Sequence, residues 1–152
     1  MNEFMKEAIN EAYTGINNGH GGPFGCTIVK NGKIIGRGHN QVLKKNSPIW
    51  HGEMSAIEDA CKTIGTFDLK GCEVYTTGEP CHMCLCALMW ANVDKIYYGC
   101  TIKDNDEIGF RDDVFNDTFG GRDKLKDLLT MLDRDECLKL FEDYKNMPHG
   151  TY

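Results

Sequence analysis

Three residues of this chain have the types and the spacing of a metal site: His51, Cys81 and Cys84. Pro80-Cys81-His82-Met83-Cys84 sets two cysteines three apart where helical spacing resumes after a turn. On a first helical turn such a pair can aim both sulfurs at one centre. The free N–H groups and positive partial charge of a helix start favour thiolates there. Two thiolates neutralise Zn²⁺, and an imidazole supplies a third ligand. Three protein ligands leave a fourth position open, the layout of a catalytic rather than a closed structural zinc. Zinc in such a site lowers the pKa of its water toward ~7. Glu53, two residues past His51, is then close to the metal without being a ligand. A carboxylate there can take a proton from the water and hand it on to the reacting groups.

Each half of the pattern is weak alone. A lone Cys-x-x-Cys also fits a redox pair or two buried cysteines, and a lone His-x-Glu fits many settings. A thioredoxin-like pair would leave His51 and Glu53 without a role. The conjunction favours catalytic zinc: His51-Gly52-Glu53, then some thirty residues, then Pro80-Cys81-x-x-Cys84, each where a helix should begin. Cys86, two further along, faces elsewhere, and His82 points away from the centre. Cys26, Cys61, Cys72, Cys100 and Cys137 read as small buried hydrophobes.

The elements that must position these groups follow from periodicity. Residues 3–17 carry Phe4, Ala8, Ile9, Ala12 and Ile16 at helical spacing, stopped by Gly19-His20-Gly21-Gly22. These glycines lack the Lys-Ser/Thr of a phosphate loop and read as a turn that lets backbone approach a ligand. Cys26–Lys30 and Lys33–Ile35 flank Asn31-Gly32, a hairpin signal. A loop containing Pro48 follows. Met54, Ile57, Cys61 and Ile64 mark a helix closed by Gly65. Glu73–Thr76 is a strand, Gly78-Glu79-Pro80 a turn, and Cys84, Leu85, Leu88 and Met89 a helix. Asp94–Tyr98 is a further strand. Such alternation implies an α/β sandwich on a partly parallel sheet. Residues 101–124 are polar and read as a long loop. Leu128–Leu132 fits strand or helix. Asp133 and Glu136 resemble a capping box opening a last helix through Cys137, Leu138, Phe141 and Tyr144, ended by Pro148.

Length and composition bound the rest. The 152 residues suit one domain, 1–152, able to bury a sizeable core. Apolar residues are 41% and charged residues 26%, ordinary for a globular protein. No apolar run approaches the ~20 residues of a membrane span. The first residues lack a signal peptide's basic start and apolar stretch, which points to the cytoplasm. A net charge of −6 and the absence of a basic cluster argue against a nucleic-acid partner.

On these motifs the chain resembles the cytidine deaminase superfamily of zinc-dependent nucleobase and nucleoside deaminases. The resemblance is carried by His51-Gly52-Glu53, Glu79-Pro80-Cys81-His82-Met83-Cys84, Gly21-Gly22-Pro23-Phe24-Gly25, Gly38-His39-Asn40 and Trp90-Ala91. With Glu107-Ile108-Gly109-Phe110-Arg111-Asp112 and the terminal Tyr152, it is most similar to the small bacterial guanine deaminases. The resemblance implies a three-layer α/β/α fold on a mixed five-stranded sheet, and therefore a strand at Leu128–Leu132. It implies one Zn²⁺ per subunit, a small nucleobase substrate, and hydrolysis of guanine to xanthine and ammonia. It implies a homodimer in which a C-terminal segment of about 133–152 is exchanged, so that Tyr152 becomes a lid over the partner's site. It makes Phe24 a stacking residue. Asn40 becomes a reader of the base edge and Asp112 an acceptor for the donor-rich edge of guanine.

Two departures keep other substrates open. The guanine deaminases usually have His-Ala-Glu, and Gly52, which resembles the fungal cytosine deaminases, leaves room beside the metal for a substrate contact. The last third also matches less well. Cytosine or another base or nucleoside is therefore the alternative, followed by a tRNA adenosine. A non-enzymatic zinc protein comes last, because such a module has no need of Glu53.

Overall fold

The computed structural model describes residues 1–119 and 127–150. Helix α1 (Glu3–Asn17) buries Met5, Ala8, Ile9, Ala12 and Ile16, the stripe that its spacing predicts. Asn2 caps it, its Oδ1 accepting from Phe4 N at 2.9 Å and Met5 N at 3.0 Å. A cap of this kind stabilises a helix by about 1 kcal/mol. Strands β1 (Gly25–Lys30) and β2 (Lys33–His39) form the hairpin. Asn31 and Gly32 turn it with φ of 49° and 73°, as a two-residue type I′ connection needs. β2 continues past Ile35 to His39 through two glycines that would ordinarily weaken a strand. They are there because α3 (Gly52–Ile64) lies directly on them. A Cβ on Gly38 would come within 2.5 Å of Ala56 N.

Strand β3 (Cys72–Gly78), helix α4 (His82–Trp90) and strand β4 (Lys95–Cys100) follow. The sheet order is β2-β1-β3-β4-β5, with β5 at Leu129–Met131. β1 is antiparallel to β2 and β3, and β3, β4 and β5 are parallel. Alternate strand residues serve opposite faces, the two-residue period of a pleated strand. Val29 and Tyr75 join α1 and α7 (Arg134–Asn146) on one face. Ile28, Val74 and Ile96 join α3 and α4 on the other. The result is the three-layer α/β/α fold expected from the resemblance. Cys26, Cys72, Cys100 and Cys137 are buried, Cys61 is half-buried and Cys86 is exposed. No helix among the described residues is long and apolar enough to cross a membrane.

Three local expectations are corrected. The loop expected to contain Pro48 begins with a short helix, α2 (Val42–Lys45). The long loop expected over 101–124 contains helices α5 (Ile102–Glu107) and α6 (Asp112–Phe119), its residues 120–124 lying outside the described ones. α5 has no apolar period to reveal it. It is nucleated by a polar box: Asp104 Oδ2 accepts from Thr101 N at 2.7 Å, and Asp104 N donates back to Thr101 Oγ1 at 3.3 Å. The box expected at Asp133 does not form. Asp133 is left-handed, with φ 49°, and makes no cap to α7. Its Oδ2 accepts from Asn2 N at 2.8 Å, tying the start of α7 to the cap of α1.

Asp104 also receives both terminal nitrogens of Arg134, Nη2 reaching Oδ1 at 2.9 Å and Nη1 reaching Oδ2. This pair joins α5 to α7. The hydrogen bonds of Arg134, aided by those of Thr101, hold the Asp104 carboxyl well below the usual carboxylate range. A depressed folded pKa gives stability that is complete above the unfolded value of about 4 and fades as pH falls toward the folded value. Arg134 is a third exposed, so the loss on breaking the pair is set at about 2 kcal/mol. Asp104→Asn should lower the thermal midpoint by about 4–8 °C at pH 7. The gap to the wild type should narrow in calorimetry below pH ~4. An equal gap at pH 7 and at pH ~2.5 would refute the ionic origin of the effect.

Candidate active site

His51 and Cys81 hold the same structural position. Each is the N-cap of its helix, in extended backbone conformation, and neither spends its side chain on capping. Both side chains are thus free to turn to one centre. Cys84, one turn into α4, is fully buried beneath them. His51 Nδ1 stands 3.6 Å from Cys81 Sγ. A tetrahedral zinc with ordinary Zn–N and Zn–S bonds sets its nitrogen and sulfur ligands about 3.6 Å apart. The ligand atoms of His51, Cys81 and Cys84 all lie within 4.8 Å of one another. The donor set therefore fits a soft divalent cation, and no other such group occurs among the described residues.

The electrostatics concentrate negative charge at this centre on one ligand, Cys81. The S–H of Cys84 and the His51 imidazole, acting against burial, pull Cys81 down to about 4, so it is a thiolate. The hydrogen bond with Cys81 and its own burial push Cys84 far up. Burial opposes a charged His51, but the hydrogen bond and charge of Cys81, with Glu53 and Asp112, outweigh it and raise its pKa. Glu53 is 5% exposed on the first turn of α3. Burial first, and the charge of Cys81 second, push it up to about 7. Thr76 Oγ1 lies 3.5 Å from its Oε1.

A cavity of about 320 Å³, its mouth included, opens beside this centre. Of the residues singled out from sequence, Phe24, Asn40, His51, Glu53, Cys81 and Asp112 line it together. Phe24 is fixed from both sides: Pro23 O and Gly25 N each bond Thr77 Oγ1 at 3.1 Å. Its ring meets Phe110 edge-on at 4.8 Å and Phe141 at 5.6 Å. It belongs to the core and to the cavity wall at once. Asn40 is buried, and its Oδ1 accepts from Val42 N at 3.1 Å. Its amide NH₂ is the end left to donate to a ligand. The turn before β1 has its glycine for this side chain, since a Cβ on Gly21 would fall 2.0 Å from Asn40 Oδ1. That turn is clamped to β2 and α1 by His20 Nδ1 to His39 Nε2 at 2.8 Å and His39 Nδ1 to Glu11 Oε2 at 2.9 Å.

One sequence assignment does not line the cavity, and a second lies beyond what the structure describes. Gly52 is buried but not among the lining residues, and its missing Cβ points to Phe24 O at 2.9 Å. The glycine lets α3 sit against the Phe24 backbone rather than opening room beside the metal. Tyr152 lies outside the described residues. Conversely, Glu79, Asn105 and Phe110 line the cavity and carry no role in the sequence reading. Glu79 Oε2 accepts from Ile102 N at 2.9 Å, anchoring the start of α5. Thr101 and Asp104, a helix-start signature, were the available signal for α5 and hence for Asn105.

Cys81→Ser should reduce bound zinc from about one per chain to under a tenth after dialysis. Atomic absorption would check this, and undiminished zinc would show that the three residues are not the ligand set.

Residues 1–100 match the cytidine and deoxycytidylate deaminase zinc-binding region. A guanine deaminase of Bacillus subtilis (strain 168) is 46% identical over 109 residues, which are 72% of this chain and 70% of that one. A tRNA-specific adenosine deaminase of Aquifex aeolicus (strain VF5) is 41% identical over 100 residues, 66% of each. The crystal structure of the Bacillus subtilis guanine deaminase superposes with a TM-score of 0.73, at 36% identity over all of this chain and 99% of the other. Identity is lower over the full length, as the weaker motifs of the last third led one to expect. The matched region ends on the last residue of β4 and takes in both helix starts and Glu53, so the chain belongs to the zinc-binding cytidine and deoxycytidylate deaminase family.

Proposed function

We propose that this chain hydrolyses guanine to xanthine and ammonia. The observation that carries the reading is the cavity itself. It joins a flat aromatic wall, Phe24, to an amide donor, Asn40, and a carboxylate acceptor, Asp112, beside Glu53 and the ligand set. A guanine deaminase is 46% identical, which supports the same choice of base.

The work of the chain's own residues follows from their chemistry. Phe24 stacks on the planar base. Asn40 donates to an acceptor of the purine, and Asp112 accepts from an N–H. Glu53, buried beside the ligand set, has a carboxyl that burial raises above the usual carboxylate range, which suits a group that must both take and release a proton. It takes one proton from the attacking water and delivers it to the ring nitrogen beside the reacting carbon; it then takes the remaining proton from the hydroxyl so added and delivers it to the departing amine, which leaves as ammonia. Zinc held by His51, Cys81 and Cys84 would supply the Lewis acidity that makes water nucleophilic at neutral pH.

A second reading, deamination of a tRNA adenosine, is favoured by the 41% identity to the Aquifex protein. The net charge of −6 weighs against it, because a phosphate backbone is held by clustered Lys and Arg. Pure zinc-loaded protein offered guanine, cytosine, cytidine, adenosine and an anticodon stem-loop should release ammonia from guanine. Turnover of cytosine without guanine, or of the stem-loop without free bases, would replace the proposal. Glu53→Gln should keep its zinc and lose about a thousandfold or more in kcat. A fully active Glu53→Gln would refute the proton-transfer role.

The same reading includes a homodimer with exchange of residues 133–152 and Tyr152 as a lid supplied by the partner. A broad groove beside the cavity mouth, with Val42, Pro48, Met83, Phe110 and Phe115 in its wall, supports an extra chain there. In the single chain α7 packs on its own sheet, Tyr13 OH donating to Asp143 Oδ2 at 2.6 Å. Sedimentation should give about twice the 17.1 kDa of one chain. A single species of one-chain mass at catalytic concentrations would remove this part of the proposal.

A further inference from the structure

Asn105 is a polar side chain buried to 1% exposure in the wall of the cavity. Its Nδ2 donates to Asp112 Oδ2 at 2.9 Å. An ionised carboxylate is an acceptor only, so this contact decides which end of the amide faces Asp112. The carbonyl oxygen must face the other way. There it has no hydrogen-bond partner, the only buried side-chain nitrogen or oxygen atom in that condition among the described residues. Buried acceptors are nearly always satisfied, and an exception asks for a reason.

The surroundings of that oxygen supply one. A Cβ on Gly78 would lie 3.1 Å from Asn105 Oδ1 and 3.1 Å from two atoms of the Phe24 ring. The bare glycine thus leaves the acceptor and the stacking ring open beside each other at the end of β3. Asn105 also lies inward. The groove at the mouth shares His51, Cys81, Phe110 and Asp112 with the cavity, but not Asn105 or Phe24. α5 holds the residue in place through the Thr101 box, Glu79 and Arg134. That acceptor, in the wall of the cavity and without a partner from the protein, is placed to receive an N–H brought in by a ligand.

We propose that Asn105 determines specificity: its carbonyl oxygen accepts a ring N–H of the bound heterocycle, so the site takes the free base in preference to forms substituted at that nitrogen. This rests on the reading of the chain as a base deaminase. The amine-bearing carbon is claimed by Glu53 and the ligand set, which leaves a ring N–H as the donor for Asn105. The same side chain, through Nδ2, aims Asp112, and together they give the cavity two adjacent acceptors for a donor-rich edge.

The test compares the wild type and Asn105→Ala on guanine and on 1-, 7- and 9-methylguanine, with binding of xanthine followed by calorimetry. KM for guanine should rise about tenfold in the variant with kcat changed less than about threefold. Xanthine should bind about tenfold more weakly. For one methylated base, which the wild type rejects, the variant should show no loss, so that discrimination falls about tenfold. An equal loss on guanine and all three methylated bases would overturn the proposal and leave Asn105 a structural residue. An unchanged KM for guanine would overturn it too. If Asn105→Ala fails to fold, Asn105→Ser gives the same comparison with a shortened acceptor. Wild type that deaminates another base but not guanine defeats the proposed substrate alone. That base and its N-methylated forms then decide the role of Asn105.

Discussion

The chemistry of this protein depends on two helix starts, some thirty residues apart in sequence, meeting at one point. A helix start concentrates unpaired N–H groups and positive partial charge, and it is the place on a helix where a side chain can point along the axis. His51 and Cys81 are both N-caps whose side chains make no cap. Each gives up the usual local hydrogen bond and leaves its helix start open toward a thiolate-rich centre. The two starts can meet only if α3 and α4 lie on the same face of the sheet. They do, because β1 and β3 are adjacent and Ile28, Val74 and Ile96 on that face are apolar. Close contact of α3 with β2 completes the condition, and it is the reason for glycines within a strand.

The same logic tells which features the sequence displayed. Elements with apolar periods were readable: α1, the Asn31-Gly32 hairpin, α3 with its Gly65 stop, β3, α4 and β4. The metal ligands and Glu53 were readable because their chemistry restricts residue type and spacing. The half of the cavity built by α5 was not. That helix is six residues long and rests on side-chain bonds from Thr101, Glu79 and Arg134, with no apolar stripe. Long-range polar anchoring leaves no periodic trace. Asp133 shows the converse error. Its spacing to Glu136 looked local, but its carboxylate bonds Asn2 at the opposite end of the chain.

Gly52 is a similar case. Its place between a ligand and a proton carrier suggested a role toward substrate. The structure turns its open side to the Phe24 carbonyl, a matter of how closely α3 packs on the backbone that leads into β1. A departure from a family pattern beside a metal can thus report on backbone spacing rather than on the choice of base.

The Asp104–Arg134 pair also joins two parts of the molecule that serve different ends. Asp104 sits in α5, one residue before the cavity residue Asn105, and Arg134 opens the C-terminal helix. The pair thus ties the wall of the cavity to the start of the C-terminal helix. A chain whose last helix is undocked holds α5 less firmly and meets its ligand with a looser wall.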